Sequence, residues 1–169
     1  SITKLSLNWT PTSDSLVYAT FSEGFRPGLL NRPGGKTNPA GTFTVPFSVD
    51  TDELTNYELG WKLDLLDSTL RFNAAIFSSD IENLQTTIFD PSITNLFFSD
   101  NAADAEVNGF EGDVTWVPES IDGLTLSGAF SFIDSEITRV ITPTNDVILG
   151  DSLAFAPEFQ FSLRARYEW

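Results

Sequence analysis

The stretch YELGWKLDLLDSTLRFNAAIF, residues 57–77, alternates without a fault in its first half. Tyr57, Leu59, Trp61, Leu63 and Leu65 fall on one side, and Glu58, Gly60, Lys62 and Asp64 on the other. After Asp67-Ser68 the pattern restarts, with Leu70, Phe72, Ala74 and Ile76 against Arg71, Asn73 and Ala75. Two period-two runs joined by a turn predict a β-hairpin with one greasy and one charged face. The same period recurs in ITKLSLNW (2–9), VNGFEGDVTWV (107–117), LTLSGAFSF (124–132) and FQFSLRARYEW (159–169). SLVYATF (15–21) is apolar on both faces, so its parity is unclear. About seven strands result, most near the ~9–11 residues a tilted strand needs to cross a bilayer.

The connections carry a second pattern. PTSD (11–14), Asp67-Ser68 and PESIDG (118–123) are short, whereas 22–53, 83–104 and 138–157 are long and rich in Gly, Pro, Asn, Asp and Thr. Strict alternation of short and long connections is the habit of outer-membrane barrels, with tight periplasmic turns and long outer loops. Within the first long segment, GTFTVPFSVD (41–50) is a possible further strand, which Pro46 confines to an edge or a loop hairpin. If it paired into the wall, the count would become eight and a small closed barrel would be possible.

Charge separates the two faces. The aromatic-and-leucine face of the clear strands carries no charged residue; the other carries Glu58, Lys62, Asp64, Arg71, Glu111, Asp113, Arg164, Arg166 and Glu168. A soluble β-sandwich also alternates apolar-in and polar-out. The aromatics weigh toward a membrane: Tyr57, Trp116, Tyr167 and Trp169 sit at strand ends, where amphipathic rings settle at the water boundary. Tyr57, Trp61, Trp116, Tyr167 and Trp169 are therefore expected to face lipid, and the nine charged residues a wet lumen.

Composition removes whole classes of function. The chain has 169 residues and a formal charge of −15, and no Lys/Arg cluster, so nucleic acid is excluded as a partner. It has no cysteine and no histidine, hence no disulfide framework, no thiol nucleophile and no imidazole base or ligand. Glu111 and Asp113 share a face two residues apart, but no nucleophile or oxyanion site accompanies them, so no catalytic residue is assigned. The acidic loops DTDE (50–53), Asp90 and SDNAAD (99–104) lack the spacing of a calcium loop, and no metal or cofactor is assigned. No apolar run approaches the roughly 20 residues of a membrane helix. The chain opens in mid-pattern at SITKLSLNW and reads as an excerpt from something longer.

On WTPTSDSLVYATFSEGFRPG (9–28), ELTNYELGWKLDLLDSTLRFNAAIFSSDIENLQ (53–85), NAADAEVNGFEGDVTW (101–116) and APEFQFSLRARYEW (156–169), the sequence resembles the later strands of a TonB-dependent outer-membrane transporter. The order of motifs matches across nearly the whole chain outside the long loops. The resemblance implies an all-β, antiparallel transmembrane barrel of which residues 1–169 are one part, without the plug domain and energy-coupling box. It implies outer-membrane lipid and lipopolysaccharide as surroundings. The plug and remaining strands of the same full-length protein, and a TonB-type protein acting through a segment outside this chain, are the implied partners. The implied function is energised uptake of a small scarce ligand, a ferric siderophore first. Phe25, Arg26, Arg32 and Lys36 are the ligand-binding candidates, Phe25 and Arg26 from SEGFRPG (22–28), whose glycines and proline equally suit a turn. A small self-contained barrel of porin or adhesin type and a soluble carbohydrate-binding sandwich remain the alternatives.

Overall fold

The computed structural model describes residues 2–32, 34–90, 93, 96–142, 147–154 and 156–169. The strands are β1 (Lys4–Thr12), β2 (Ser15–Arg26), β3 (Leu29–Leu30), β4 (Ser48–Val49), β5 (Asp52–Leu65), β6 (Leu70–Asp90), β7 (Leu96–Trp116), β8 (Leu124–Val140) and β9 (Phe159–Tyr167). Seven of them form one antiparallel sheet in the order β1-β2-β5-β6-β7-β8-β9, and β3 pairs with β4 alone. Segment 41–50 is thus not an eighth wall strand. Ser48–Val49 and the Thr37–Thr44 bridge make it a small hairpin inside the loop, where Pro46 interrupts no ladder.

The register sorts every side chain onto one of two faces. Leu7, Ala19, Leu59, Ile76, Phe110, Phe132 and Phe159 lie opposite one another across the seven strands. One row nearer the short turns come Trp9, Val17, Trp61, Ala74, Gly112, Phe130 and Phe161. These rows leave β2 in no doubt: Val17, Ala19 and Phe21 join the apolar face, while Leu16, Tyr18 and Thr20 join the polar one. On β5 the apolar run extends from Tyr57 to Leu65, about 26 Å along the strand and about 20 Å of height at the usual tilt, close to the roughly 25 Å apolar band of a membrane barrel.

Beyond that band the strands do not stop. Segment 83–104, expected as a loop, is mostly ladder: Gln85↔Asn101, Thr86↔Asp100, Ile88↔Phe98 and Phe89↔Phe97 continue β6 and β7 outward past their neighbours. Thr86, Thr87 and Ile88 are β-branched and suit a strand, though the Asn and Asp around them read as loop. A bulge at Asn83 (φ 54°) shifts the register where the hairpin leaves the wall. The Asn83 amide there donates to Asp104 Oδ1 at 2.9 Å, and Arg139 bonds the same carboxylate. The Arg139 guanidinium, with help from the Asn83 amide and against the effect of burial, holds the Asp104 carboxyl below the usual carboxylate range.

The apolar core gathers at this outer end. Val45, Ile88, Phe98, Ala102, Ala103, Ile137 and Val147 are buried together, with Phe43 tilted against Phe98 at 5.7 Å. Loop 27–51 and residues 147–153 close over the extended hairpin to form it. The loop enters through a polar knot. Asp52, 6% exposed, accepts bonds from the Arg26 backbone amide (3.1 Å), the Arg26 guanidinium and the Gln85 amide (3.2 Å). Gln85 Nε2 in turn faces the carbonyls of Arg26, Pro27 and Asp50. Gly28 follows directly, and a Cβ there would run into the Val49 carbonyl.

Three outcomes are expected. Phe130→Arg, in mid-band on the apolar face, costs about 2–4 kcal/mol in folding from urea into lipid vesicles, whereas Ser131→Arg on the polar face costs little; equal costs would refute the two-faced assignment. Asp52→Ala leaves buried donors unpaired, each lost partner costing about 1–3 kcal/mol, so amide exchange across 26–52 rises by about tenfold or more while 57–65 is unchanged. Because Asp104 has a folded pKa below its unfolded one, its contribution is full above about pH 4 and is lost as pH falls through the lowered value. Exchange at 83–85 and 103–106 should quicken in that acid window for the wild type and show no such step in Asp104→Asn.

Candidate functional site

The polar face of the wall is one candidate surface. Asn8, Tyr18, Gly60, Ala75, Glu111, Ser131 and Gln160 form one row, and Leu16, Lys62, Asn73, Asp113, Ala129 and Ser162 the next. Gly60 has no side chain, so the Tyr18 ring lies flat over it and its hydroxyl reaches Glu58 Oε1 at 2.7 Å. Asn73 Nδ2 donates to Asp113 Oδ2 at 3.0 Å, and Arg71 Nε to Asp64 Oδ1 at 2.8 Å. A groove of about 560 Å³ crosses this face, with Tyr18, Lys62, Asn73, Glu111, Asp113 and Gln160 among its lining. It presents carboxylates, amides, hydroxyls and one ammonium together, a surface suited to hydrogen-bonding a polar partner along its length. The register brings Glu58, Lys62, Asp64, Arg71, Glu111 and Asp113 onto this face as neighbours. Arg164 and Arg166 continue it on β9, and Arg166 pairs with Glu168 just past the strand. Among the described residues, no three Asp or Glu side chains gather closely enough to hold a metal ion.

On the apolar face, Trp61 stacks on Phe110 at 6.3 Å and Phe110 tilts against Phe130 at 5.2 Å. Trp61 therefore lies within the apolar band. Trp116 ends β7, Tyr167 ends β9 and Trp169 lies beyond it, all toward the short turns. Tyr57 stands at the other margin beside Phe21 (5.3 Å), and is no longer at a strand end because β5 runs on to Asp52.

The outer vestibule is the second surface. Arg26 is committed to the knot with Asp52 and donates to the Gln85 carbonyl at 2.8 Å. Phe25 pairs with Glu53 on the opposite, outward-facing side of β2. Arg32 and Lys36 are exposed on loop 27–51. The four candidates are thus not brought together: Arg26 is bonded to Asp52, Phe25 lies on the other face of β2, and Arg32 and Lys36 are exposed on the loop. Their loop is held by amide side chains that resemble nothing special in the sequence. Asn31 accepts from the Ser99 amide (2.9 Å) and donates to the Ser99 and Pro46 carbonyls (2.7 and 2.9 Å). Asn101 likewise accepts from the Asp50 amide and donates to the carbonyls of Asp50 and Asn83. Asn31 and Asn101 copy the bonding of a strand neighbour by donating and accepting, while Gln85 donates to carbonyls, and only their isolated positions in a turn-rich stretch hint at it.

A two-faced sheet whose loops fold over a polar wall has clear relatives. The chain matches the TonB dependent receptor-like, beta-barrel family over residues 2–169. It is 30% identical over 166 residues to the metal-pseudopaline receptor CntO of Pseudomonas aeruginosa, which covers 98% of this chain and 20% of that receptor. It is 27% identical over 137 residues to the probable TonB-dependent siderophore receptor PiuA of Acinetobacter baumannii, covering 79% of this chain and 17% of that one. Among solved structures, PiuA superposes with a TM-score of 0.67 at 22% identity over 97% of this chain and 23% of that chain. The ferric yersiniabactin uptake receptor FyuA of Yersinia pestis gives 0.66 at 21% identity over 96% and 22%. The chain spans about a fifth of the length of the curated relatives it matches. Matched to the family from Ile2 to Trp169 and sharing its antiparallel wall, the chain belongs to the TonB-dependent receptor-like β-barrel family and forms part of a transmembrane barrel of the outer membrane.

Proposed function

We propose that residues 1–169 are wall and outer vestibule of a receptor that takes up a metal chelate across the outer membrane, a ferric siderophore in the first instance. One observation carries the reading: loop 27–51, bearing exposed Arg32 and Lys36, is fastened over the outer end of a wall whose other face carries charged and hydrogen-bonding side chains along the band. An anionic chelate arriving from outside meets those two cations first, and electrostatic attraction favours its capture. The relatives described as a metal-pseudopaline receptor and a siderophore receptor support the ligand class.

In this reading β1 and β9, exposed along their whole length, pair with further strands of the full-length protein. A plug domain of that protein meets Glu58, Lys62, Asp64, Arg71, Glu111, Asp113, Arg164, Arg166 and Glu168. Salt bridges already made within the wall, Asp64–Arg71 and Arg166–Glu168, spare those groups from needing a plug partner. The contact is then wet and polar, which lets it be rearranged when a TonB-type partner pulls on the plug.

Deleting the gene tests the reading through uptake of radiolabelled ferric chelates in iron-starved cells. Transport that disappears on deletion, and also on collapse of the proton-motive force, is the expected result; unchanged uptake of every chelate tried would sink it. Arg32→Ala and Lys36→Ala in the full-length receptor should each raise the Kd by up to about tenfold, equivalent to about 1.4 kcal/mol, with barrel folding unaffected. An unchanged Kd in the double variant would remove the two cations from the site.

A further inference from the structure

Phe47, on loop 27–51, combines an open ring with a fixed backbone. Its carbonyl accepts from the Asn31 amide at 2.9 Å. Two residues earlier, fully buried Val45 accepts from the Gly35 amide (2.9 Å) and donates to the Lys36 carbonyl (2.8 Å). Pro46 between them fixes a further dihedral. The ring lies across Gly34 and Gly35: a Cβ at Gly34 would come within 2.8 Å of Phe47 Cδ1, and one at Gly35 within 2.7 Å of Cζ. Gly35, at φ 81°, holds a backbone conformation that favours glycine. The glycine pair thus seats one side of the ring while Phe47 stays 72% exposed. An exposed ring alone carries no message, but this one is bracketed by cations. Lys36 follows Gly35 directly, and Arg32 lies on the turn that the Gly34 amide closes on the Asn31 carbonyl (3.3 Å); both are exposed. Loop 27–51 holds these two cations and one anion, Asp50, in a chain of formal charge −15.

We propose that Phe47 on its glycine seat, with Arg32 and Lys36 beside it, is an aryl-recognition element that selects iron chelates built from catecholate or phenolate rings. The role deepens the uptake function proposed above and rests on it for the iron. An aryl oxygen donor has both features this element can meet. Its flat π face packs offset or edge-on against the phenyl ring. Its anionic oxygens lie in the ring plane, where a guanidinium can donate to them and an ammonium supplies a point charge. Chelates made of hydroxamates or aliphatic carboxylates have no ring to stack, so they gain from the cations at most. The two contributions therefore divide: Arg32 and Lys36 serve any anionic chelate, and Phe47 tells an aryl chelate from the rest. Because the glycine pair and the paired backbone preset the ring, little freedom is lost when a ligand stacks on it.

The test uses the full-length receptor in detergent and three radiolabelled ferric chelates: a tris-catecholate, a citrate complex and a tris-hydroxamate. The tris-catecholate should bind tightest. Phe47→Ala should weaken its binding by about tenfold and leave that of the citrate complex unchanged. Gly35→Ala, which drives a Cβ into the ring, should act in the same direction, and Phe47→Tyr should restore the preference. Heat-modifiable migration on gels establishes that each variant is a folded barrel. Equal losses for the catecholate and citrate complexes in Phe47→Ala would overturn the proposal, as would no loss or a wild type that prefers a chelate without rings. A second measurement needs no iron. With para-fluorophenylalanine at position 47 alone, dihydroxybenzoate should give a saturable fluorine NMR shift that cyclohexanecarboxylate does not. A receptor that shows this shift yet binds no ferric chelate would sink the uptake reading and leave the aryl seat standing. Absence of the shift, or the same shift with both anions, would overturn the seat.

Discussion

A backbone amide or carbonyl in hydrocarbon has no water to turn to, and the rest of this structure follows from that constraint. Every strand crossing the apolar band must be paired on both sides, which requires an unbroken ladder and a single register. The β5–β6 pairing meets this from Glu53↔Glu82 to Leu65↔Leu70 without a slip. With the register fixed, a side chain has one of two destinations, lipid or lumen, and the period-two sequence follows. The irregularities lie at the margins. The bulges and shifts near Asn83 and Asp104 fall beyond the band, and the one between Trp9 and Thr12 falls at a turn.

Outside the bilayer the same bonding requirement is met differently. Among its described residues, loop 27–51 has two short strands, one bridge and a few backbone turns of its own, and side-chain amides of Asn31, Gln85 and Asn101 bond further backbone groups from within and from the extended hairpin. The buried Asp52 carboxylate fixes where the loop leaves the wall, and the apolar cluster around Val45 and Phe98 fixes where it lands. The vestibule is therefore built like a small soluble domain resting on a membrane wall. It has an interior of its own, while the wall keeps its apolar surface outside.

The wall was legible in the sequence because it obeys one rule in every wall strand but β2. Leu59, Trp61 and Leu63 against Glu58, Lys62 and Asp64 sufficed to sort the faces, and short turns separated the hairpins. β2 was ambiguous, since Leu16 and Tyr18 are apolar residues on the polar face; only pairing with Lys62 and Gly60 decides their face. The vestibule was not legible. Its strands at 83–90 and 96–104 mix Asn, Asp and Gln with β-branched residues, and those polar residues serve as bonding partners where sequence reasoning reads loop. Arg26 looked like a ligand contact because a cation in a turn near the rim is conspicuous. Its partner Asp52 lies 26 residues away, and Gln85 59 away, beyond any local pattern.

Three glycines of the wall lie beneath aromatic rings from the adjoining strand: Gly60 under Tyr18, Gly109 under Phe77 and Gly112 under Phe130. A methyl group at any of them would meet the ring, and the ring would lose its seat if it alone were shortened. Each pair is therefore one unit of inheritance. A lineage that replaces the glycine has to change the ring across the ladder in the same step or soon after. Such paired changes, two on the polar face and one on the apolar face, would mark neighbouring strands in related sequences even where little else is shared.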